Sequence, residues 1–358
     1  MTDMKKVLMT SCVKPSKEGG VANVEYYTIK GLREAGYQVD EFFPYAGSNA
    51  ITDFKTGLKE LKSDGIVHAH TNISWNTKNA IRTYHGCTAL GQKVASIEKE
   101  HLLKSGIKGE VYLQINKIME KRCSKVNNCL TVSQYVADAL EKYYKTPAEK
   151  IRVVHNGVDN KRFYPDSKAG NIFRKKLSIK ENDFVVTWTG HFEFNKGIYY
   201  LCKIIEALEQ QKDIKFIVRA SVKKSNLPIE YAKTLQSKNV IYLEHGLDMN
   251  EFYNAGDCHL LTSTYEPFCL TILEAMCAGK PVIATKSGGH EEVISDGKNS
   301  YLFDYTDVKG MAEQIKLLAK NETERRKVGK AAEKTILNNF TYKHMVQKTI
   351  KAYNYFYK

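Results

Sequence analysis

The sequence predicts an α/β protein with two domains, each built around a doubly wound parallel sheet. Its 358 residues exceed the roughly 100 to 200 residues of an ordinary domain. Short apolar, β-branched segments alternate with segments of helical period, which is typical of the βα units of parallel sheets. Residues 156–166, NGVDNKRFYPD, combine Asn-Gly, Asp and Pro turn signals and mark the expected domain boundary. The two Rossmann-like domains are expected to face each other across a cleft.

Six strands are expected in the first half of the chain, with helices between them, for example over residues 24–35 and 135–144. Each strand is a short apolar run bounded by turn signals or by a helical pattern. The expected strands are residues 6–9, 38–42, 66–70, 93–101, 128–132 and 151–154.

The second half repeats the pattern and predicts a second sheet. Its expected strands are residues 184–189, 215–220, 240–243, 258–261 and 281–285. A last helix is expected over residues 342–357. Because aromatic side chains lie on several of its faces, this helix should pack against one of the domains.

Composition indicates a globular protein with a preference for anionic partners. The net charge of +14 favours nucleotide phosphates, anionic lipid or nucleic acid, although a solvated lysine-rich surface explains it equally well. No stretch reaches the roughly 18 to 20 apolar residues of a membrane span, and the first residues run directly into a strand pattern. Eight cysteines without C-x-x-C or zinc-finger spacing are expected to be reduced, mostly buried thiols. A cytoplasmic location is expected.

The densest functional signal lies in residues 262–284. A strand ends there, and Pro267 suits the start of the helix that follows. Ligands of open α/β sheets collect at the carboxyl ends of the strands, where free N–H groups at a helix start attract anions. A phosphate is therefore expected at Phe268, Cys269 and Leu270.

Two carboxylates flank this anion site, Glu266 in the loop and Glu274 two turns into the helix. Eight helical residues return to nearly the same face, so both could line one elongated ligand. Alternatively, Glu266 could only interact favourably with the helix dipole, and Glu274 could be a solvated residue on the helix surface. Apolar neighbours surround Glu274, and buried carboxylates rarely lack partners. The ligand-binding interpretation is therefore favoured.

The segment EPFCLTILEAMCAGKPVIA, residues 266–284, resembles the E-x7-E signature of glycosyltransferase family 4, a large group of retaining enzymes with the GT-B architecture. Further matching segments follow the order of the family along nearly the whole chain. They are Gly19-Gly20, Val67-His68-Ala69-His70, Ser133, Asn156-Gly157-Val158-Asp159, residues 190–197, Ala255-Gly256-Asp257, and Gly288-Gly289 followed by Glu292.

This resemblance implies how the domains are assigned. Residues 1–160 with about 340–358 would form an acceptor-side domain, to which the last helix returns. Residues 161–339 would form the domain that binds the nucleotide-sugar donor.

The resemblance also implies roles for single residues. Glu274 would bind the ribose hydroxyls, and Glu266 would contact the donor sugar near its reacting carbon. Lys196 would hold the diphosphate and offset charge on the departing nucleotide. The backbone amides of Phe268, Cys269 and Leu270 would complete the phosphate cradle, and Gly20 would let its loop approach closely.

Departures from the family pattern bear on the diphosphate. His191 stands where the family has arginine, and histidine carries its charge only part of the time near neutrality. Either Arg219 or Lys223, at the next strand end, substitutes, or donor binding is weaker and pH-dependent. Cys269 replaces a glycine, which makes backbone contact there sterically less free. Ser300 also replaces a family glycine, in a loop.

A histidine of the first domain is expected near the donor sugar, at the end of the fourth strand. His101 is preferred over His85, because residues 75–91 fit a helix and the strand then begins at Lys93. For both residues, the alternative is a structural histidine whose ring nitrogens are hydrogen-bonded within the protein. His68 and His70 are further candidates on the acceptor side.

Residues 109–125 form a basic amphipathic pattern that could bind an anionic membrane surface or pack on its own domain. Val111, Ile115, Ile118 and Met119 share one helical face, and lysines and an arginine surround them.

The resulting expectation is retaining transfer of a hexosyl group from a UDP- or GDP-linked sugar to a lipid, glycan or small acceptor, in cell-envelope, polysaccharide or glycolipid synthesis. The chain has no D-x-D sequence, which agrees with metal-independent transfer without a cofactor. A nucleotide-sugar epimerase is the alternative. A nucleic-acid-binding protein is more distant, because the basic residues are scattered and no known module is present.

Overall fold

A computed structural model describes residues 3–11, 13–17, 19–44, 55, 56, 58, 60–97, 107–192, 194–244 and 246–357. The chain divides into two compact units. Unit 1 is Met1–Gly157 with Phe340–Lys358, and unit 2 is Val158–Asn339. Which unit takes the donor and which the acceptor stays a prediction.

Unit 1 contains a six-stranded parallel sheet in the order β2-β1-β3-β4-β5-β6. Most positions of the central strands are buried, as expected where helices cover both faces of a parallel sheet. The strands are β1 Asp3–Thr10, β2 Gln38–Phe42, β3 Gly65–Ala69, β4 Ile81–Tyr84, β5 Asn128–Thr131 and β6 Ile151–Val153.

The helices of unit 1 include the last helix of the chain. They are α1 Gly20–Glu34, α2 Thr88–Ile97, α3 Ile107–Val126, α4 Gln134–Ala139, continued by a π-helical turn Leu140–Tyr144, and α12 Tyr342–Phe356. Gly31 of α1 lies so close to Val346 of α12 that a Cβ there would collide with the valine. The rings of Tyr27 and Tyr342 meet with centroids 5.2 Å apart. The aromatic pattern of the last helix is therefore used in packing on α1.

Unit 2 contains the second six-stranded parallel sheet, in the order β12-β11-β10-β7-β8-β9. Its core includes Trp188, Phe216 and Leu260, which are fully or almost fully buried. The strands are β7 Phe184–Gly190, β8 Ile214–Ala220, β9 Val240–Leu243, β10 Cys258–Leu261, β11 Val282–Thr285 and β12 Tyr301–Phe303.

In the described part of the chain, unit 2 contains seven α-helices that are at least six residues long. They are α5 Ser167–Lys176, α6 Ile198–Ala207, α7 Ile229–Leu235, α8 Met249–Ala255, α9 Leu270–Cys277, α10 Val308–Lys320 and α11 Glu322–Asn339. Among the helices that the structure describes, none is both long enough and apolar enough to cross a membrane.

The fold class is confirmed, and one strand of the predicted set is wrong. Lys93 lies in helix α2, and the fourth strand is Ile81–Tyr84, inside the segment 75–91 that was expected to be helical. Buried Arg82 hides the strand character of this run, because its charge is compensated by Glu120 from far along the chain. The short strand β12 was not predicted.

Tyr353 fastens the last helix to the sheet of unit 1. His68 of β3 is buried, and its Nδ1 lies 2.6 Å from the Tyr353 hydroxyl. The second ring nitrogen, Nε2, lies 2.7 Å from the hydroxyl of Thr83 on β4. Both polar atoms of a fully buried imidazole are thereby satisfied, so His68 is a structural residue of the sheet.

We expect Tyr353→Phe to lower the melting temperature by a few degrees, measured by circular dichroism. The substitution keeps the ring and leaves His68 Nδ1 buried without its partner, which costs about 1–3 kcal/mol. Tyr355→Phe is the matched control on the same helix, since Tyr355 is exposed and its ring packs on Arg152. Equal melting temperatures for the two variants would contradict the structural role of His68.

Candidate functional site

The carboxyl ends of β7 and β10 in unit 2 are joined by a network of short loops. Trp188 on β7 donates from its indole nitrogen to the hydroxyl of Thr262 at 3.1 Å, and this hydroxyl donates to the Lys196 carbonyl at 3.0 Å. Gly197 has a φ of 65° and approaches the Thr262 backbone so closely that a Cβ would collide with its carbonyl. The lysine loop is thus held against the strand that leads to Glu266.

Lys196 and Glu266, two of the predicted site residues, form an ion pair. The ammonium nitrogen lies 2.5 Å from Oε2 of Glu266. Glu266 is buried, whereas Lys196 is partly exposed. A buried carboxylate needs such a partner, and the lysine stays accessible to an anionic ligand.

The backbone of Glu266 is fixed by the loop that follows β11. Its N–H donates to the Ser287 carbonyl at 2.9 Å, and its carbonyl accepts from the Gly289 N–H at 2.9 Å. A Cβ on Gly289 would collide with the carbonyl of Pro267, so only glycine fits there. The carboxylate is therefore carried by a loop with little freedom to move.

The helix that carries the predicted phosphate cradle begins at Leu270, with Cys269 as its N-cap residue. The helix was expected from about Phe268 to Ala278, so its start lies two residues later than predicted. Cys269 has φ −99° and ψ 113°, an ordinary extended conformation, so the cysteine fits without strain where the family has glycine. Burial and the nearby charge of Glu266 raise the pKa of the Cys269 thiol to about 11. The thiol is neutral at pH 7, which argues against a nucleophilic role.

Glu274 lies in α9 and has the partner that its apolar surroundings require. The hydroxyl of buried Tyr253 donates to Oε2 of Glu274 at 2.7 Å. Burial raises the pKa of Glu274 to about 7, opposed by this hydrogen bond and by the positive charges of Arg162 and Arg219. Glu274 is therefore a carboxylate whose ionisation responds to small changes around it.

Arg219 is the better placed of the two cations considered as substitutes for the missing arginine. It pairs in register with Thr189 and donates from Nη1 to that hydroxyl at 3.2 Å. His191 is exposed directly after β7, and Lys223 is exposed after β8. Arg219 also lies near enough to Glu274 to affect its pKa, so it brings a permanent charge beside this carboxylate.

Unit 1 places His70 and His85 together at the ends of neighbouring strands. His70 follows β3, His85 follows β4, and His70 Nδ1 lies 3.0 Å from His85 Nε2. The rings are stacked with centroids 5.2 Å apart. Burial, and then the charge of Arg82, lower the pKa of His85 to about 3. His85 is therefore a neutral imidazole at physiological pH.

Arg82, on β4 three residues before His85, is held in a buried network. Its guanidinium lies 3.8 Å from Glu120 and 3.7 Å from the centroid of the Tyr84 ring, and its Nε donates to the Thr71 carbonyl at 3.2 Å. Glu120 also accepts from the Tyr144 hydroxyl at 2.8 Å. The network fixes the end of β4 and hence the position of His85.

His101, the preferred donor-side histidine, lies outside the described residues. The reason for preferring it is wrong, because no strand begins at Lys93. Gly20 is the first residue of α1, and a Cβ built on it meets no heavy atom within 4 Å. Gly20 is exposed, so a side chain there would not collide with the described protein.

Two family models match the chain in succession. The family described as Glycosyltransferase Family 4 matches residues 48–162, and the family described as Glycosyl transferases group 1 matches residues 171–335. The chain belongs to the family 4 type of glycosyltransferases.

Known proteins similar to this glycosyltransferase include the N-acetyl-alpha-D-glucosaminyl L-malate synthase of Bacillus anthracis, with 23% identity over 87% of this chain and 79% of the relative. The structure of sucrose-phosphate synthase from Thermosynechococcus elongatus matches with a TM-score of 0.79, 18% identity and 98% coverage of both chains. Anabaena HepE in complex with UDP-glucose matches with a TM-score of 0.72 and 18% identity, over 97% of this chain and 98% of that one. These structural matches show that the glycosyltransferase has the GT-B fold.

Some contacts of the glycosyltransferase site were not predicted from the sequence. Tyr253 and His290 were not singled out, although His290 follows directly the glycine pair that was. Burial lowers the pKa of His290, opposed by the charge of Glu266, which places the two side chains close together. The position of His290 next to a family motif was the one available signal.

We expect the stability of Glu274→Gln relative to the parent glycosyltransferase to rise between pH 5 and pH 8. The folded state keeps a proton on Glu274 up to a pKa of about 7, whereas the unfolded chain releases it near the ordinary pKa of 4.5. The parent therefore loses stability as pH rises through this window, by up to about 3 kcal/mol, and then levels off. Glutamine removes the loss and can still accept from Tyr253.

Thermal unfolding at several pH values measures this difference. Glu313→Gln is the control, because Glu313 has an exposed side chain paired with Lys316 and undergoes the same change of charge. A constant difference between Glu274→Gln and the parent across the pH range would show that Glu274 ionises normally.

Proposed function

We propose that this glycosyltransferase moves a hexosyl group from a nucleoside-diphosphate sugar, UDP-linked in preference to GDP-linked, to an acceptor hydroxyl with retention at the anomeric carbon. The observation that carries the proposal is the accessible Lys196 cation paired with buried Glu266, next to the start of α9. A departing diphosphate needs a fixed positive charge and N–H donors, and Lys196 and the start of α9 lie at neighbouring strand ends. The UDP-glucose bound by HepE, which is similar in fold, supports the choice of donor.

The proposed roles follow the geometry of unit 2. Lys196 neutralises the diphosphate, and the amides of Phe268, Cys269 and Leu270 bind its oxygens. Glu274 accepts hydrogen bonds from the ribose hydroxyls, and Arg219 keeps it ionised when the nucleotide is bound. His191, exposed directly after β7, is proposed to contact the diphosphate.

Retention is proposed to arise because the acceptor hydroxyl attacks the anomeric carbon from the same face as the one from which the leaving phosphate departs. The bond from the anomeric carbon to the phosphate oxygen breaks, and the bond to the acceptor oxygen forms on the same face. The acceptor proton passes to the leaving phosphate. Glu266 is engaged by Lys196, which favours an orienting role near the sugar over a covalent nucleophile.

We assign the donor-side histidine to His85 in place of His101. His85 follows the observed fourth strand and is partly exposed, so its ring can donate to or accept from a sugar hydroxyl. Its neutral state suits a hydrogen bond to an uncharged sugar.

The proposed acceptor is a hydroxyl of a lipid, glycan or small molecule used in envelope or polysaccharide synthesis. Helix α3 could bring a lipid acceptor close, because Ile118 and Val111 are 68% and 53% exposed and Lys121 is exposed beside them. Met119, expected on the same apolar face, is buried in unit 1. The membrane contact would therefore use only part of the predicted face.

A panel of UDP- and GDP-linked sugars, scored by nucleotide release with and without hydroxyl acceptors, tests the function. We expect release that depends on acceptor, and an α-linked product from an α-linked donor by NMR. Glu274→Ala should weaken nucleotide binding about 10- to 100-fold, because it removes a charged hydrogen-bond acceptor worth about 1.5–3 kcal/mol.

Glu313→Ala provides the control, since it removes an exposed carboxylate from the same unit. Donor turnover without any acceptor would favour the epimerase instead. Inversion at the anomeric carbon would refute the mechanism, and equal nucleotide affinity for Glu274→Ala and the parent would refute the assigned ribose contact.

Gly20→Ala should raise the donor KM about tenfold and leave the melting temperature unchanged. The added methyl meets no protein atom within 4 Å, so it should disturb only a ligand that approaches the loop. Steady-state kinetics and thermal unfolding measure the two effects. An unchanged KM would remove Gly20 from the proposed donor site.

A further inference from the structure

Among the residues that the structure describes, the side chains of Glu266, Cys269 and His290 form a cluster of three different ligand types. One carboxylate oxygen, the Sγ and one imidazole nitrogen all lie within 4.8 Å of one another. All three residues are buried, and they come from the loop after β10, the N-cap of α9 and the turn after β11. Two segments, the run from Glu266 to Cys269 and the turn that carries His290, thus bring a carboxylate, a thiol and an imidazole close together.

His290 is oriented as a metal-binding histidine is. Its Nδ1 lies 2.7 Å from the carbonyl of Thr285, an atom that can only accept, so Nδ1 carries the proton. Its Nε2 is buried without a hydrogen-bond partner. A backbone carbonyl that holds the other ring N–H is the usual way in which proteins orient an imidazole ligand toward a metal. The buried lone pair on Nε2 is therefore available to a metal ion.

The ligand set favours a soft divalent cation. Magnesium and calcium prefer six or more oxygen ligands, whereas a sulfur, a nitrogen and an oxygen suit tetrahedral zinc. Ligand atoms around tetrahedral zinc lie about 3.3–3.8 Å apart, so these side chains need to close in by about 1 Å. The Glu266 backbone is already hydrogen-bonded to Ser287 and Gly289 of the segment that carries His290, which limits the ordering that binding requires.

We propose that Glu266, Cys269 and His290 bind one zinc ion, and that this ion inhibits the glycosyltransferase by displacing Lys196 from Glu266. As the zinc–sulfur bond forms, the Cys269 thiol releases its proton to solvent, so the bound ligand is the thiolate. A dication on Glu266 repels the ammonium group that now lies 2.5 Å from the carboxylate. Lys196 then leaves the position in which it would bind the diphosphate. Zinc binding stands independently of the proposed function, and the inhibition rests on it.

Zinc binding is tested on the full chain, freed of metal by EDTA and titrated with zinc by calorimetry. Cys269→Ser and His290→Gln should each weaken the affinity of one zinc equivalent at least about tenfold. Cobalt in place of zinc should give a thiolate-to-cobalt absorption band in the parent that Cys269→Ser lacks. Cys277→Ala is the matched control on the same helix, because its thiol donates to the Phe163 carbonyl, and it should keep the band.

Thermal unfolding without metal shows whether each variant folds. If His290→Gln does not fold, the zinc affinity and cobalt spectrum of Cys269→Ser alone decide whether the site exists. If folded Cys269→Ser keeps the zinc affinity and the cobalt absorption band of the parent, the proposed zinc site is overturned. In transfer assays, zinc should inhibit the parent reversibly, and Cys269→Ser should need at least about tenfold more zinc for equal inhibition.

The two proposals fail in distinguishable ways. Zinc bound at this site with no effect on transfer would overturn the displacement of Lys196. Zinc bound with no donor ever turned over would overturn the proposed function and leave the site standing. Transfer that proceeds with no zinc bound at any concentration would overturn the site alone.

Discussion

The ion pair between Lys196 and Glu266 is the contact on which the arrangement of the unit 2 strand ends depends. Glu266 is buried, and a buried carboxylate is tolerated only with a compensating charge and hydrogen bonds. Lys196 can supply the charge because Gly197 turns tightly against Thr262. On the other side, Gly289 brings the loop after β11 against the Glu266 backbone. Two glycines thus allow three loops to converge on one carboxylate.

The charged groups of this site balance each other, which makes it responsive to ligands. Glu274 has a pKa near neutrality because burial opposes Tyr253, Arg162 and Arg219. Lys196 is held by Glu266 and partly exposed, so the proposed diphosphate and the carboxylate would compete for one cation. A site of this kind can bind an anion without first burying a new charge.

Unit 1 also buries charged and polar side chains at its strand ends, but it stabilises them with different partners. The charge of Arg82 is compensated by Glu120, and burial together with the charge of that arginine keeps the stacked His70 and His85 neutral. His68 is fixed between Thr83 and Tyr353, which ties the end of the chain to the sheet. Hydrogen bonds within unit 1 offset the unfavourable free energy of burying these polar groups.

The sequence by itself determined the fold class, ten of the eleven expected strands and the segment that carries Glu266 and Glu274. Apolar runs of strand length and the turn residues between them are local, and they can be found without knowing what lies nearby. The strand Ile81–Tyr84 was missed because it contains Arg82, whose partner Glu120 is distant in the chain.

Tertiary structure alone decided which polar groups meet. Tyr253 reaches Glu274 from another helix, and His290 reaches Glu266 from another loop, at separations that no sequence pattern marks. It also decided that Cys269 needs no glycine conformation, since φ at this position is ordinary. Sequence patterns report the burial and turning of single segments, whereas ionisation and ligand geometry depend on distances between segments, which only the packed chain sets.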